Sequence, residues 1–138
     1  MNKSNCPLLG KCLTKNVVYL ASVICQGHRT KFYVGSSFDF KDRFYKHTHS
    51  FKYPTASNTT LSNYIWSMRD EHGIDPIIKW EIIRRAPIFK PGARGCKLCS
   101  EEKYAIISFD LPEDLLNRRC EILNRCAHRT GSLLYKVK

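Results

Sequence analysis

The period of the apolar positions changes several times along the chain. Asn16 to Ile24 (NVVYLASVI) is almost unbroken in apolar and β-branched residues, which predicts a strand. Gln26 to Thr30 is a turn around Gly27, and Lys31 to Val34 a second strand, so the two form a hairpin. Gly35-Ser36-Ser37 is expected to break that strand. Ser36 or Ser37 then caps a helix running to about His49, with Asp39 in its first turn and Phe40, Phe44 and Phe51 on its apolar side. Tyr53 to Asn58 is loop chemistry. Thr59 or Thr60 caps a second helix, in which Leu61, Tyr64, Ile65 and Met68 recur at helical spacing until Gly73 stops it. Ile77 to Ile83 alternates, with Ile78, Trp80 and Ile82 on one face of a third strand. After a loop from Lys90 to Gly95, Ser100 is placed to cap a helix holding Glu101, Glu102, Tyr104, Ile106 and Ile107. A last helix is expected over roughly 118 to 127, with Ile122 and Leu123 facing inward and Asn117 as its N-cap.

The order ββααβαα predicts an α+β fold, a small three-stranded antiparallel sheet flanked by helices. With 138 residues and 43% apolar content, one domain spanning 1–138 can bury a core, with residues 1–14 as an irregular cysteine-containing leader. No apolar run approaches the roughly 18 residues of a membrane span, and MNKSNCPLLGKC lacks the apolar centre of a signal peptide. The expectation is an intracellular protein, nuclear or wherever its target lies, without a membrane partner.

Charge narrows the choice of partner. The net charge is +11, with ten Lys/Arg against two Asp/Glu in residues 1–69 and thirteen against ten in residues 70–138. A basic excess concentrated in one half points to a polyanion, and nucleic acid before a membrane surface. The basic half contains KFYVGSSFDFKDRFYKH, residues 31–47. There Tyr33 ends a strand, and Arg43 and His47 share a helix face one turn apart. A phenol, a guanidinium and an imidazole converging on one point suit a phosphodiester. Arginine forks onto non-bridging oxygens, and histidine or tyrosine moves a proton. A metal-dependent reaction would further need a carboxylate.

These residues resemble the GIY-YIG nucleases, a family named for two short motifs on the strands of a hairpin. Val17-Val18-Tyr19 stands in the first motif and Tyr33-Val34-Gly35 in the second. Arg43 follows the second tyrosine by ten residues, and His47 comes one helical turn later. Glu102-Lys103-Tyr104-Ala105-Ile106 has the form of the family's glutamate helix, and Leu116-Asn117 that of its asparagine pair. The likeness covers about residues 17 to 117. Val17 stands where the family has its first glycine, and the interval from Tyr19 to Tyr33 is longer than usual, implying a longer hairpin loop at Gly27. NCPLLGKC, CKLCSEEK and RCAHR are also similar to the endonuclease segment of the eukaryotic retroelements called Penelope-like.

The resemblance implies a metal-dependent DNA endonuclease. Glu102 would bind Mg²⁺ or Mn²⁺, Arg43 would stabilise transition-state charge, and Tyr19 would hold the water or the phosphate. Asn117 would orient groups near the metal. Tyr33 or His47 would serve as base: a tyrosine near pH 7 needs a shift of about three units, worth roughly 4 kcal/mol, whereas a histidine needs almost none. The partner would be duplex DNA, including branched or nicked forms, met as a homodimer or as part of a larger mobile-element protein. The alternative is a zinc-stabilised basic nucleic-acid-binding module without catalysis. Each side chain also has an ordinary role open to it: strand aromatic for the tyrosines, solvated helix residue for Arg43 and His47, N-terminal charge for Glu101 and Glu102, N-cap for Asn117.

Seven cysteines, an odd number, argue for thiolate ligands over a disulfide framework. Cys96 and Cys99 form a CxxC that can share one zinc, and Cys126 with His128 would close the set across 26 intervening residues. Such a zinc would be structural, bracing the loop before Glu102. Cys6 and Cys12 are a competing pair, and Cys25 (in a strand) and Cys120 (in a helix) are read as core or incidental. No zinc, or a redox Cys96/Cys99 pair, are the other readings; the latter lacks a thioredoxin-like setting.

Overall fold

The computed structural model describes residues 8, 13–57, 59–87 and 97–117. Strand β1 (Lys15–Ile24) lies at the centre of a three-stranded antiparallel sheet. Strand β2 (Lys31–Asp39) pairs with one side of it and β3 (Ile77–Arg85) with the other. Between β2 and β3 run helices α1 (Phe40–Lys52) and α2 (Thr60–His72); α3 (Lys97–Ile107) follows β3. Short 3₁₀ turns occupy Pro54–Ala56 and Pro112–Asp114. The fold is α+β. No helix among the described residues is long and apolar enough to cross a membrane.

The continuous apolar run of β1 has a simple cause: both its faces are covered. Val17, Tyr19, Ala21 and Val23 point to one side and pack with Phe40 and Phe51 of α1 and Leu61, Ile65 and Met68 of α2. Val18 and Leu20 point to the other, against Leu98, Ala105 and Ile106 of α3. A strand needs no polar alternation when helices occupy both its faces. β3 is an outer strand and does alternate, with Trp80 buried and Ile78 and Ile82 partly so, while Ile77, Lys79 and Glu81 are exposed. A register shift opposite Val18 and Tyr19 lets β3 run two residues beyond Ile83.

The second strand is longer than its sequence predicts. Gly35-Ser36-Ser37 does not break it; the strand continues to Asp39 because the first half of β1 pairs with it, Tyr19 opposite Gly35 and Lys15 opposite Asp39. Neither Ser36 nor Ser37 caps α1. Asp39 occupies the N-cap position with extended backbone and no side-chain cap bond, and Ser37 Oγ instead accepts from Asp39 N–H at 3.0 Å. Ser100 likewise lies inside α3, which begins at Lys97. Cys25 falls just past β1, buried in the turn. Elsewhere the punctuation holds. Thr59 and Ser62 form a reciprocal capping box for α2, and Gly73 closes that helix at φ 64°. Trp66 donates to Ser50 O at 2.8 Å and Arg69 to Phe51 O, tying α2 to the end of α1. The leader cysteines, the loop from Lys90 to Gly95 and the helix expected over 118 to 127 lie outside the described residues.

The outer edge of β2 is closed by residues 115–117. Leu115 bridges Phe32 in parallel, and Leu116 N–H donates to Phe32 O at 2.6 Å. The side-chain amide of Asn117 then takes the place of a peptide group: its Oδ1 accepts from Val34 N–H at 2.7 Å and its Nδ2 donates to Val34 O at 2.8 Å. Just before it, the buried Asp114 accepts from Arg29 at 2.7 Å and Lys31 at 3.2 Å. Burial alone would raise the Asp114 pKa, but these two cations hold it below the usual carboxylate value. A carboxyl depressed in the folded state stabilises the fold above its unfolded pKa near 3.9 and loses that effect as pH falls through the folded value. Asp114→Asn should therefore lower the thermal midpoint by a few degrees at pH 7, with the difference from wild type closing below about pH 4; melting curves across pH check this.

Candidate active site

Tyr19 is wholly buried, and its neighbours determine where its hydroxyl goes. The ring packs edge-on against Phe40 at 5.4 Å and His47 at 5.8 Å, and is tilted against Trp80 at 5.8 Å. On its fourth side is the backbone of Gly35, its cross-strand partner. A Cβ at position 35 would lie 2.9 Å from Tyr19 Cε2 and closer still to Cζ and Oη. Glycine is required there because the phenol fills the space a side chain would need.

That passage brings the Tyr19 hydroxyl to α1. It meets His47 Nε2 at 2.7 Å, and Arg43 Nε donates to it at 3.4 Å. The i, i+4 pairing of Arg43 and His47 on the helix thus converges on a single oxygen. Since Arg43 supplies a proton to Oη, each donor is used once when the phenol O–H donates to an unprotonated His47 Nε2. The electrostatics agree. His47 is buried, and this burial, with Arg43 nearby, pushes its pKa down to about 3, so its ring is neutral. Burial, reinforced by the neighbouring Tyr33, raises the Tyr19 phenol above its ordinary value, with Arg43 opposing. For Arg43, burial works against the charge, but hydrogen bonding and attraction to Tyr19 and then Tyr33 outweigh it, and the guanidinium ends above its usual value. Tyr33, buried at the edge of the same cluster, stands edge-on to His47 at 5.9 Å.

Glu102 arrives from the opposite layer. It lies on α3, which packs on the other face of the sheet, and Ser36 Oγ donates to its Oε2 at 2.9 Å. Alternation along β2 explains the meeting. Tyr33 and Gly35 face the α1 side, whereas Val34 and Ser36 face α3. The carboxylate is close enough for its charge to act on the Tyr19 hydroxyl. Its neighbour Glu101 is engaged elsewhere, by Arg84 at 3.0 Å. So Tyr19, Tyr33, Arg43 and His47, drawn from two strands and one helix, converge on one face of β2, and Glu102 of α3 reaches the same strand at Ser36 from the other face. Asn117 is fixed to Val34 on the same strand, two residues from Ser36, where it holds the strand.

Two participants carry no chemistry that a sequence reading would single out. Ser36, expected as a helix cap, instead orients the carboxylate. Gly35 makes room for a ring 16 residues away in the chain. Its signal is the hairpin register, which depends on the conformation of the turn at Gly27 (φ 80°).

One carboxylate steadied by a hydroxyl fits a hard divalent ion that completes its shell with waters and phosphate oxygens. Glu102 is the residue that would hold it. Among the described residues no group of three or more His, Cys, Asp or Glu side chains is placed to hold a metal by itself. For the expected zinc set, Cys99 is half-buried on α3, and Cys96, Cys126 and His128 lie outside the described residues. Compared with family models, curated proteins and solved structures, the chain finds no match in any of the three.

Two outcomes follow from this packing. Gly35→Ala should destabilise the protein by about 1–3 kcal/mol in denaturant melts, and adding Tyr19→Phe should not restore it, because the added methyl meets ring carbons as well as the hydroxyl. The pH dependence of stability should carry the mark of His47. Below about pH 6.5 the unfolded chain takes up a proton that folded His47 refuses until about pH 3. Stability should fall with pH across that window by up to about 1.4 kcal/mol per unit. In His47→Gln the slope should be shallower, as read from denaturation midpoints at a series of pH values.

Proposed function

We propose that the protein is a metal-dependent endonuclease of the GIY-YIG type that hydrolyses phosphodiester bonds in DNA. The observation that carries this reading is the convergence of Tyr19, Tyr33, Arg43 and His47 on one face of β2, with Glu102 reaching the same strand from the other face through Ser36. A basic protein that only bound nucleic acid would gain nothing from a carboxylate held against the strand that carries this cluster, where its charge repels phosphate. The net charge of +11 supplies the attraction for the DNA backbone.

Arg43 would grip the non-bridging oxygens of the scissile phosphate and offset the charge that grows on them in the transition state. It is positioned for this by its bonds to the two phenols. Tyr33 would accept the proton of the attacking water as the new oxygen–phosphorus bond forms and the bond to the 3′ oxygen breaks. A phenol acting near neutral pH needs a cation beside it, and Arg43 is that cation. His47 would hold the Tyr19 proton, so that Tyr19 orients the water or phosphate with a fixed dipole. A divalent cation bound at Glu102 would supply stabilisation for the departing 3′ oxygen. Ser36 would keep the carboxylate turned towards it, and Asn117 would keep Ser36's strand in place.

Purified protein with Mg²⁺ or Mn²⁺ should nick or cut supercoiled plasmid. Arg43→Ala and Glu102→Ala should each lower the rate by at least about 10²-fold, while Glu102→Ala keeps or gains DNA affinity because a negative charge is removed. Cleavage by Glu102→Ala at the wild-type rate would refute the assignment.

A further inference from the structure

The exposed surface of α1 carries rings that the cleavage chemistry does not use. Tyr45, His49 and Tyr53 follow one another at intervals of four residues. Tyr45 stacks on His49 at 6.2 Å with an interplanar angle of 22°, and His49 lies 4.7 Å from Tyr53, the extended residue just past the helix, tilted to it by 47°. The two tyrosines are 67% and 52% exposed, so the ladder is not part of the core. It adjoins a groove of about 350 Å³, whose lining includes Tyr45 and His49 from the ladder, Arg43 and His47 from the cluster, and Ala56 and Thr59 opposite. The surrounding charge is basic: α1 carries Lys41, Arg43, Lys46 and Lys52 against Asp42 alone.

Exposed aromatic rings in a cationic setting suit a particular form of nucleic acid. In a continuous duplex the base faces are stacked on each other and only phosphates are presented, which rings contact poorly. Unpaired bases offer free faces, and stacking one on an aromatic side chain contributes about 1–3 kcal/mol. From Tyr45 to the end of α1 at Lys52 the helix rises about 10 Å, room for about three nucleotides at about 3.4 Å each.

We propose that the Tyr45–His49–Tyr53 ladder of α1 is a stacking platform for unpaired bases, and that DNA enters the cleavage site with a single-stranded segment lying along the groove. The inference rests on the nuclease reading and specifies its substrate as DNA with a gap or flap.

The test measures binding and uses the full chain carrying Glu102→Gln, which separates affinity from cleavage. Fluorescence polarisation compares a labelled continuous duplex with the same duplex bearing a short single-stranded gap. Gapped DNA should bind more tightly. Tyr45→Ala with Tyr53→Ala should weaken that binding by about 10-fold or more and leave the continuous duplex unchanged. Tyr45→Phe with Tyr53→Phe, which keeps the rings, should restore it. Lys46→Ala with Lys52→Ala should weaken both DNAs alike. Equal affinity of the parent protein for the two DNAs, or an alanine pair that leaves gapped binding unchanged or weakens both equally, would overturn the proposal. Plasmid cleavage by the wild-type chain, scored separately, reports on the nuclease reading whichever way the binding falls.

Discussion

The phenol of Tyr19 occupies the volume that any residue except glycine would claim at position 35, and the rest of the site depends on that exclusion. Because the ring passes over a bare stretch of β2, its hydroxyl emerges at the start of α1 and can bond His47 and Arg43 at once. Because β2 runs unbroken from Lys31 to Asp39 and leads directly into Phe40, α1 begins where those two side chains face the hydroxyl. Because β2 presents Ser36 to the opposite layer, the carboxylate of α3 is drawn to the same strand. Strand pairing, helix placement and charge convergence thus share one origin in the fit of a ring against a backbone.

The cluster also sorts its protons by burial. It contains one permanent cation, two phenols, one imidazole and one carboxylate, in a space that disfavours extra charge. The imidazole responds by staying neutral, and the inner phenol by keeping its proton. Arg43 keeps its charge because both hydroxyls support it. Positive charge is therefore concentrated on a single planar group and opposed by a single carboxylate across the strand. A protonated histidine in the same place would have duplicated the arginine and weakened the carboxylate's role.

Much of this architecture is legible in the residues. The strands, the hairpin, the α2 stripe of Leu61, Ile65 and Met68 and the stop at Gly73 follow from periodicity and turn chemistry, because each is set by near neighbours in the chain. The spacing of Arg43 and His47 gives their common helix face for the same reason. What could not be read was set by distant partners. Gly35-Ser36-Ser37 has the composition of a break, yet forms strand because Val17 to Tyr19 pair with it. Ser100 has the chemistry of a cap, yet it lies within α3, where Leu98 before it is already in the core. Asn117 was legible as a residue of interest, but its attachment to Val34 requires the chain to return to the edge of β2. The bond from Ser36 to Glu102 could not be read either, since 65 residues separate them and no local pattern links them.

The amide of Asn117 and the bridge at Leu115 have a consequence for the behaviour of the protein in solution. An outer strand with its peptide groups bare is a template on which a second copy can grow by adding its own strand. Here Phe32 and Val34 already have their outward groups taken up by the same chain. On the opposite margin, β3 alternates exposed Lys79, Glu81 and Arg85 along its length and carries an irregular register. Both margins thus discourage polymerisation, one by self-pairing and the other by charge.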